Sequence, residues 1–375
     1  MKKKILFVFG TRPEAIKLAP VIKEFQKSEK FQTKICLTSQ HKSMLWQVLD
    51  LFELKGDFDL DIMEENQTLF DITAKILQNF KKVLEEFNPH LVIVHGDTTT
   101  TFSASLGAFY KKIPVAHIEA GLRSYDLFNP FPEEANRKLT ATLAKFHFAP
   151  TIKAAKNLEK EDIKKENILV TGNSVIDALF WSVEKLRSSK ELYERIASSV
   201  ILDFDFKTKY ILVTLHRREN FELLPKISQA LREIAKSYKN LKIIFPVHLN
   251  PNVRDIIFKN LKDLENVYLI DPVNYLEFVF LMMNSYFIVS DSGGVQEEAI
   301  ALSKPLLLLR DTTERPEAIE SGGVKLIGTS KENIIKQIQI LLEDKDSYLE
   351  MTKAKNPYGE GRASKKILEF LEKRL

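Results

Sequence analysis

Short apolar runs alternate with amphipathic segments along almost the whole 375-residue chain. Apolar runs of this length, separated by stretches of helical periodicity, are typical of parallel strands connected by crossover helices. The pattern therefore predicts an α/β protein with two doubly wound parallel sheets. The predicted strands lie near residues 4–9, 33–38, 91–95, 114–118, 146–149, 168–171, 210–214, 242–247, 267–270, 286–290, 305–309 and 324–327.

The chain length favours about two domains. Residues 175–208 separate the two series of strands and are predicted to be largely helical. We expect an N-terminal domain over residues 1–172 and a C-terminal domain over residues 173–355. The tail, residues 356–375, ends in an amphipathic segment that either closes the second domain or, as we expect, joins the first.

Charge and cysteine content indicate which binding partners and which cellular compartment to expect. Lysine and arginine total 55 against 51 acidic residues, and the small excess is spread along the chain, which argues against nucleic-acid binding. Cys36 is the single cysteine, so no internal disulfide forms and a reducing compartment is expected. No apolar run approaches the ~20 residues of a bilayer span, and the N-terminal run is too short for a signal peptide. We therefore expect a cytoplasmic protein without membrane segments.

The most informative single motif is SDSGGVQEEA, residues 290–299. It places Gly293 and Gly294 where an apolar run passes into a segment of helical character. Free backbone N–H groups, the positive end of the helix dipole and the missing Cβ atoms favour a bound anion such as a diphosphate. Glu298 is then placed to meet a sugar hydroxyl. A tight turn followed by an acidic first helical turn is an equally good interpretation of the motif alone.

Other unusual polar residues also follow predicted strands. Arg12 and Lys17 come after the first strand, Asp97 after the third, Glu119 after the fourth and His216 after the seventh. Ligands of open parallel sheets bind outside the carboxyl ends of the strands. Two such edges facing each other predict an interdomain cleft that holds the ligand.

Each of these residues has a structural alternative. Asp97 either serves the chemistry or caps a helix, and Glu133 either serves it or is a first-turn acid favoured by the dipole. Arg12 and Lys17 are either phosphate contacts or surface charges. Glu119, if buried, needs a partner. Four further histidines are as easily structural: His41, His117, His147 and His248.

Common metal and nucleotide motifs are missing from the sequence. It contains no paired-cysteine spacing, no His-Glu-x-x-His, no Walker loop and no Gly-x-Gly-x-x-Gly after the first strand. We therefore expect no metal site and no nicotinamide cofactor. The candidate chemistry must use carboxylates, a histidine and basic residues.

Ten segments can be compared together, in order from one end of the chain to the other. They are FGTRPEAIK (9–17), SQH (39–41), HGDTTT (95–100), EAGLR (119–123), PEEANR (132–137), HRREN (216–220), FPVHLN (245–250), DSGGVQEE (291–298), ERPEA (314–318) and NPYGEG (356–361). Together these segments closely resemble the non-hydrolysing UDP-N-acetylglucosamine 2-epimerases.

The resemblance implies a GT-B-like fold of two Rossmann-like domains with an interdomain cleft. It also implies an isomerase that interconverts UDP-N-acetylglucosamine and UDP-N-acetylmannosamine without an added cofactor. The route would be elimination of UDP to give 2-acetamidoglucal, followed by re-addition of UDP. A homodimer that supplies surface polysaccharide biosynthesis is implied in the same way.

The resemblance also assigns residues. The matched catalytic residues are Asp97, Glu119, Glu133 and His216. Those matched to substrate binding are Arg12, Lys17, Phe278, Ser292, Gly293, Gly294, Glu298 and Arg315. Those matched to an allosteric site are Gln40, His41, Arg217 and His248. The expected roles are proton transfer for Asp97 and Glu133, acid/base or oxocarbenium stabilisation for Glu119, and leaving-group assistance for His216.

Three departures from the family pattern affect binding. Val273 replaces a frequent glutamine beside the uracil, so backbone contacts are expected there instead. Ser43 and Asn66 stand where some regulated members carry a longer amide and an arginine. Because a lost charge weakens recognition of an anion, we expect weak or absent activation by UDP-N-acetylglucosamine.

Three alternative functions remain open on the sequence. The chain is either an epimerase of a related UDP-2-acetamido sugar, a retaining GT-B glycosyltransferase, or a catalytically silent sugar-nucleotide sensor. The three carboxylates suit chemistry on one sugar without an acceptor, and turnover would exclude the sensor.

Overall fold

Two separate units make up the chain in the computed structural model, which describes residues 2–39, 42–64, 66–215 and 217–375. The first unit runs to Ala178 and includes Tyr358–Leu375. The second unit is Leu179–Pro357. Each unit contains one parallel sheet with helices between successive strands.

The sheet of the first unit has seven parallel strands. They are β1 (Lys3–Phe9), β2 (Phe31–Leu37), β3 (Phe58–Asp59), β4 (Leu91–His95), β5 (Val115–Ile118), β6 (Phe146–Ala149) and β7 (Ile168–Val170). Their order in the sheet is β3-β2-β1-β4-β5-β6-β7. The helices that lie wholly or partly in this unit are α1 (Arg12–Lys27), α2 (Lys42–Leu51), α3 (Leu69–Phe87), α4 (Thr99–Tyr110), α5 (Glu133–Leu143), α6 (Ile152–Lys160), α7 (Ser174–Ser188) and, at the end of the chain, α16 (Ala363–Glu372).

The sheet of the second unit has six parallel strands. They are β8 (Tyr210–Thr214), β9 (Lys242–Pro246), β10 (Val267–Ile270), β11 (Phe287–Ser290), β12 (Leu306–Leu308) and β13 (Val324–Leu326). Their order is β10-β9-β8-β11-β12-β13. The helices of this unit are α8 (Lys190–Val200), α9 (Leu224–Ser237), α10 (Pro251–Leu261), α11 (Tyr275–Asn284), α12 (Gly293–Ala301), α13 (Pro316–Glu320), α14 (Lys331–Glu343) and α15 (Lys345–Thr352).

The predicted α/β class and the two doubly wound sheets are confirmed. All twelve predicted strands occur, and α7 and α8 occupy most of the predicted helical connection. The two-residue strand β3 was missed because Phe58 and Asp59 form no apolar run. Across the described ranges, no helix is long and apolar enough to cross a membrane.

The central strands carry the core of each unit. In β1, residues 5–9 are completely buried, and in β8 Tyr210, Ile211, Leu212 and Val213 are completely buried as well. Strands with helices on both faces need apolar side chains in both directions, which explains the unbroken runs. In both sheets the strand order reverses direction beside this central strand, between β1 and β4 and between β8 and β11. These two positions are the switch points at which such sheets bind ligands.

Candidate active site

The turn after β1 presents the N-terminus of α1 at the first switch point. Thr11 is the N-cap of α1, and it forms a capping box with Glu14. Gly10 is required at the turn, because a Cβ atom there would lie 1.9 Å from Thr38 Oγ1. The predicted binding residue Arg12 is the first residue of α1, and Lys17 lies further along the helix.

Glu14 joins the turn after β1 to the turn after β4. Its Oε2 accepts hydrogen bonds from Gly10 N at 3.1 Å and from Thr11 N at 2.9 Å and Thr11 Oγ1 at 2.8 Å. Its Oε1 accepts from Thr98 Oγ1 at 2.7 Å and Thr101 Oγ1 at 3.2 Å. Burial raises the pKa of Glu14, and these hydrogen bonds lower it in part. This bridging role was not predicted, although the Thr-x-x-Glu spacing of a capping box is visible in the sequence.

We expect Glu14→Ala to destabilise the first unit by about 3 kcal/mol or more, because it leaves buried backbone and hydroxyl donors without acceptors. The measurement is the urea midpoint followed by circular dichroism. The matched control is Glu29→Ala, since Glu29 is exposed. Equal midpoints for the two variants would contradict the bridging role of Glu14.

The turn after β4 holds Asp97 by its backbone and its side chain. His117 Nε2 donates to Gly96 O at 2.7 Å, and Gly96 adopts φ +69°. Asn136 Nδ2 donates to Asp97 O at 2.9 Å, and Arg137 donates from an Nη atom to Asp97 Oδ2 at 2.7 Å. The ion pair leaves the Asp97 side chain partly exposed at the edge of the sheet. Asp97 is therefore a fixed carboxylate.

The alternative interpretation of Asp97 as a helix cap is wrong. Thr98 is the N-cap of α4, and its side chain accepts from Thr101 N.

Helix α5 begins with two adjacent glutamates in different surroundings. Glu134 is completely buried and accepts from Ser124 N at 3.0 Å and from Arg137 at 2.9 Å. Glu133 Oε2 is also buried, but it has no hydrogen-bond partner among the described residues. Glu134 thus anchors the helix, whereas Glu133 keeps an uncommitted oxygen. The first-turn position expected for Glu133 is confirmed, and Glu134 shares it.

Glu119, directly after β5, is held by groups from two other parts of the first unit and faces a histidine from a third. Its Oε2 accepts from Lys17 Nζ at 2.5 Å and from Asn173 Nδ2 at 2.7 Å. His95 Nε2, at the end of β4, lies 3.8 Å from the same oxygen. The expectation that Glu119 needs a partner is confirmed, because its side chain is only 8% exposed.

The three carboxylates gather at one edge of the first sheet. The Asp97 turn contacts α5 through Arg137, and a Cβ atom on Gly96 would lie 3.9 Å from Glu119 Oε1. Asp97 has a guanidinium partner, Glu119 has an ammonium and an amide, and Glu133 has a free buried oxygen. Carboxylates in different surroundings can divide acid and base roles between them.

The N-terminus of α12 forms the corresponding edge of the second sheet. Ser292 is its N-cap and makes no side-chain capping bond. A Cβ atom on Gly294 would meet nothing within 4 Å, whereas one on Gly293 would lie 2.8 Å from an Nη atom of Arg315. The first turn of α12 therefore offers open backbone N–H groups with a guanidinium beside them, which suits an anion.

Three arginines surround Glu314 next to this helix end. Arg315, Arg310 and Arg217 donate to its carboxylate at 2.5, 2.8 and 3.3 Å. Burial raises the pKa of Glu314, but the three guanidinium groups lower it more, to about 2. Sequence reasoning missed Arg310, and its only signal was its place just after the predicted strand 305–309. Arg315 also donates from Nε to the buried Glu297 carboxylate at 2.6 Å, so three guanidinium groups and two carboxylates leave one net positive charge at the helix end.

The predicted binding residues Phe278 and Glu298 lie on α11 and α12 of the second unit. Tyr275 donates its hydroxyl proton to Glu298 Oε1 at 2.8 Å, and both side chains are buried. Phe278 lies one turn further along α11 and is half-buried. Positions i and i+3 share one face of a helix, so Tyr275 and Phe278 are neighbours on α11.

Three predicted residues lie outside the described residues: Gln40, His41 and His216. His248 is exposed, and its Nδ1 accepts from Asn250 N at 3.0 Å. Within the described ranges, no group of three or more His, Cys, Asp or Glu side chains is placed to hold a metal ion.

Two parallel sheets with interleaved helices, and charged residues at the carboxyl edge of each, define an enzyme of the GT-B-like class. Comparison with known proteins identifies the family. The family model for UDP-N-acetylglucosamine 2-epimerase matches residues 23–372, and the chain belongs to this family of isomerases.

The curated relatives match over nearly their whole length. A UDP-N-acetylglucosamine 2-epimerase of Campylobacter jejuni is 52% identical over 376 residues, which cover 100% of this chain and 98% of the relative. The enzyme of that name from Escherichia coli K12 is 50% identical over 370 residues, 98% of each chain.

Solved structures agree with the sequence relatives. The UDP-GlcNAc 2-epimerase of Neisseria meningitidis bound to UDP-GlcNAc has a TM-score of 0.92 and 52% identity, covering 99% of this chain and 100% of the other. The Methanocaldococcus jannaschii enzyme in complex with UDP-GlcNAc and UDP has a TM-score of 0.83 and 37% identity, covering 99% of each chain. The predicted fold and family are both confirmed.

Proposed function

We propose that this chain interconverts UDP-N-acetylglucosamine and UDP-N-acetylmannosamine by eliminating UDP and adding it back, without net hydrolysis. The observation that carries the proposal is the gathering of Asp97, Glu119 and Glu133 at one sheet edge with three different partner sets. Inversion at C2 without an acceptor needs an acid and a base on opposite faces of one sugar.

The first half of the reaction breaks two bonds. A carboxylate removes the C2 proton, the electron pair of the C2–H bond forms the C1=C2 double bond, and the C1–O bond breaks as UDP leaves. The product is 2-acetamidoglucal. In the second half a UDP oxygen adds to C1 and a proton is delivered to the other face of C2, so no atom is gained or lost overall.

The carboxylates take different parts in this proposal. Asp97 and Glu133 transfer the protons at C2, because Asp97 is fixed by Arg137 and Glu133 has an oxygen free to take a proton. Glu119 acts in acid/base chemistry or stabilises the oxocarbenium character of the sugar. His216, which lies outside the described residues, assists the leaving group.

The second unit supplies the anion site for the diphosphate. Gly293 and Gly294 offer backbone N–H groups at the positive end of α12, Ser292 offers its hydroxyl while its own N–H donates to Ser290 Oγ, and Arg315 adds a fixed charge. Arg12 and Lys17 are further phosphate contacts in this assignment, Glu298 binds a ribose hydroxyl, and Phe278 packs beside the uracil. The hydrogen bond from the Tyr275 hydroxyl orients the Glu298 carboxylate.

Proton NMR of the purified protein with UDP-N-acetylglucosamine in D₂O tests the proposal. UDP-N-acetylmannosamine with deuterium at C2, and no nicotinamide added, is the expected result. Unchanged substrate would reject it, and the related UDP-2-acetamido sugars would then be assayed. Turnover that requires a glycosyl acceptor would instead identify a retaining glycosyltransferase.

We expect Arg315→Lys to weaken UDP binding by about tenfold, because lysine keeps the charge but loses the planar fork that binds phosphate. Isothermal titration with UDP measures the effect. Arg254→Lys is the matched control, since Arg254 pairs with Asp271 on the surface of α10. Equal UDP affinities in the two variants would remove Arg315 from the phosphate site.

Activation by a second UDP-N-acetylglucosamine is proposed to be weak or absent. The matched allosteric positions Gln40, His41, Arg217 and His248 are retained, but Ser43 and Asn66 bring no positive charge. The rate against substrate concentration is expected to be hyperbolic, with no lag. A sigmoidal curve that Gln40→Ala abolishes would contradict this.

A cytoplasmic homodimer is part of the proposal. Cys36 is buried and reduced, which fits a reducing compartment. Phe109, Tyr110 and Leu139 expose apolar side chains on the neighbouring helices α4 and α5, a surface suited to a second copy. Light scattering should give twice the 43.2 kDa chain mass, and a monomer mass would exclude the dimer.

A further inference from the structure

His95 has a buried ring nitrogen that faces a carboxylate without being bonded to it. It is the last residue of β4 and is 3% exposed. Its Nε2 atom has no hydrogen-bond partner among the described residues and lies 3.8 Å from Glu119 Oε2. Buried polar atoms are nearly always paired, so an unpaired one beside a candidate site calls for an explanation.

The ring is neutral at ordinary pH. Burial lowers the pKa of His95 to about 4, although the nearby Glu119 carboxylate raises it and Lys17 lowers it further. A neutral imidazole has one N–H group and one lone pair. The tautomer with the proton on Nε2 directs an N–H and not a lone pair at the anionic carboxylate. It competes with the tautomer in which Nδ1 donates to the backbone of His95, and the role proposed below requires the Nε2–H form.

Glu119 Oε2 now has Lys17 as its charged partner at 2.5 Å. The same ammonium is assigned above to the phosphates of the substrate. A diphosphate carries more negative charge than a single carboxylate, so it competes with Glu119 for the Lys17 ammonium. Any shift of Lys17 toward the phosphates takes a donor from a largely buried carboxylate, and leaving such a group short of donors is costly.

We propose that His95 is a positioning residue for Glu119, whose Nε2–H replaces the Lys17 ammonium on Oε2 when Lys17 engages the diphosphate. The inference rests on the proposed function. A movement of about 1 Å brings the 3.8 Å separation to hydrogen-bond length. Asn173 Nδ2 keeps its bond to the same oxygen and fixes the other side of the carboxylate. His95 touches no substrate in this scheme, so its effect passes entirely through Glu119.

Two substitutions distinguish the hydrogen-bond donor function of the His95 ring from its role in filling space. His95→Met fills a similar volume without a donor, whereas His95→Gln carries an amide Nε2–H at nearly the position of the imidazole nitrogen. The assay is C2 epimerisation and deuterium incorporation by NMR, with kcat and KM measured for each protein. UDP affinity by calorimetry and thermal midpoints at pH 7.5 accompany the kinetics.

We expect His95→Met to lower kcat about 10- to 100-fold, the effect of losing one hydrogen bond to a charged group, with KM and UDP affinity changed less than about threefold. His95→Gln should keep kcat within about fivefold of the wild type. A merely structural role would lower both thermal midpoints and both activities together, without restoration by glutamine.

Each outcome decides one question. No turnover by the wild-type protein rejects the proposed function itself. Wild-type turnover with an unchanged kcat in His95→Met overturns the inference about His95. If His95→Met does not fold, His95→Gln alone decides the matter, and a loss greater than about fiftyfold in that folded variant rejects the donor role.

Discussion

Glu119→Gln is expected to lower kcat for epimerisation by about 10³-fold while UDP binding stays within a few-fold of the wild type. The amide keeps the shape of the side chain and still accepts one hydrogen bond from Lys17 or Asn173. It can neither exchange a proton with the substrate nor stabilise positive charge on the sugar. The loss therefore falls on the transition state rather than on ground-state binding.

NMR in D₂O gives kcat and the rate of deuterium entry at C2 for this variant, and calorimetry gives the UDP affinity. Glu86→Gln is the matched control, because Glu86 is exposed on α3. If Glu119→Gln retained more than about a tenth of the wild-type kcat, Glu119 would lose its assigned role, and the chemistry would rest on Asp97 and Glu133.

The second large effect is a loss of stability on acidification. His95, His117 and His147 are buried on the neighbouring strands β4, β5 and β6. Burial lowers their pKa values from the ordinary 6.5 to about 4, 3 and 4. Below pH 6.5 these histidines take up protons in the unfolded chain but stay neutral in the folded chain. Their contribution to the free energy of unfolding is therefore full above that pH and is lost as the pH falls.

Each histidine lowers the free energy of unfolding by about 1.4 kcal/mol per pH unit between roughly pH 6 and pH 4, and the three together lower it by about 4 kcal/mol per pH unit. Urea midpoints measured every half pH unit from 8 to 5 should show the decline. His147→Gln should reduce the slope by about one third, whereas His90→Gln, at an exposed position, should leave it unchanged. Identical slopes in His147→Gln and the wild type would show that His147 does not remain neutral in the folded protein.

Much of the fold could be predicted because its signals are local. An apolar run between two amphipathic segments identifies a buried strand wherever it occurs, and all twelve such runs are strands. The strand β3 has no signal of this kind, since its pairing with β2 at Cys36 and Leu37 comes from the neighbouring strand and not from its own two residues.

The polar residues of the site were visible one by one, but their partners were not. The chain position of Asp97 after a strand predicts the edge of the sheet on which it lies. Its ion pair with Arg137, 40 residues away, depends on how α5 packs against α4 and β5. For the same reason the sequence did not show that Lys17, assigned to phosphate, pairs with Glu119, 102 residues further along the chain.

The sequence by itself determined the two parallel sheets, the glycine turns and the family of this protein, because periodicity, turn chemistry and ordered motifs are properties of neighbouring residues. Only the tertiary structure decided which charges are paired. Glu14 became a buried bridge and His95 an unpaired neutral ring because strand order and register bring distant turns together at the β1–β4 switch point. Burial and pairing depend on the distances between such turns, and those distances exist only in the folded chain.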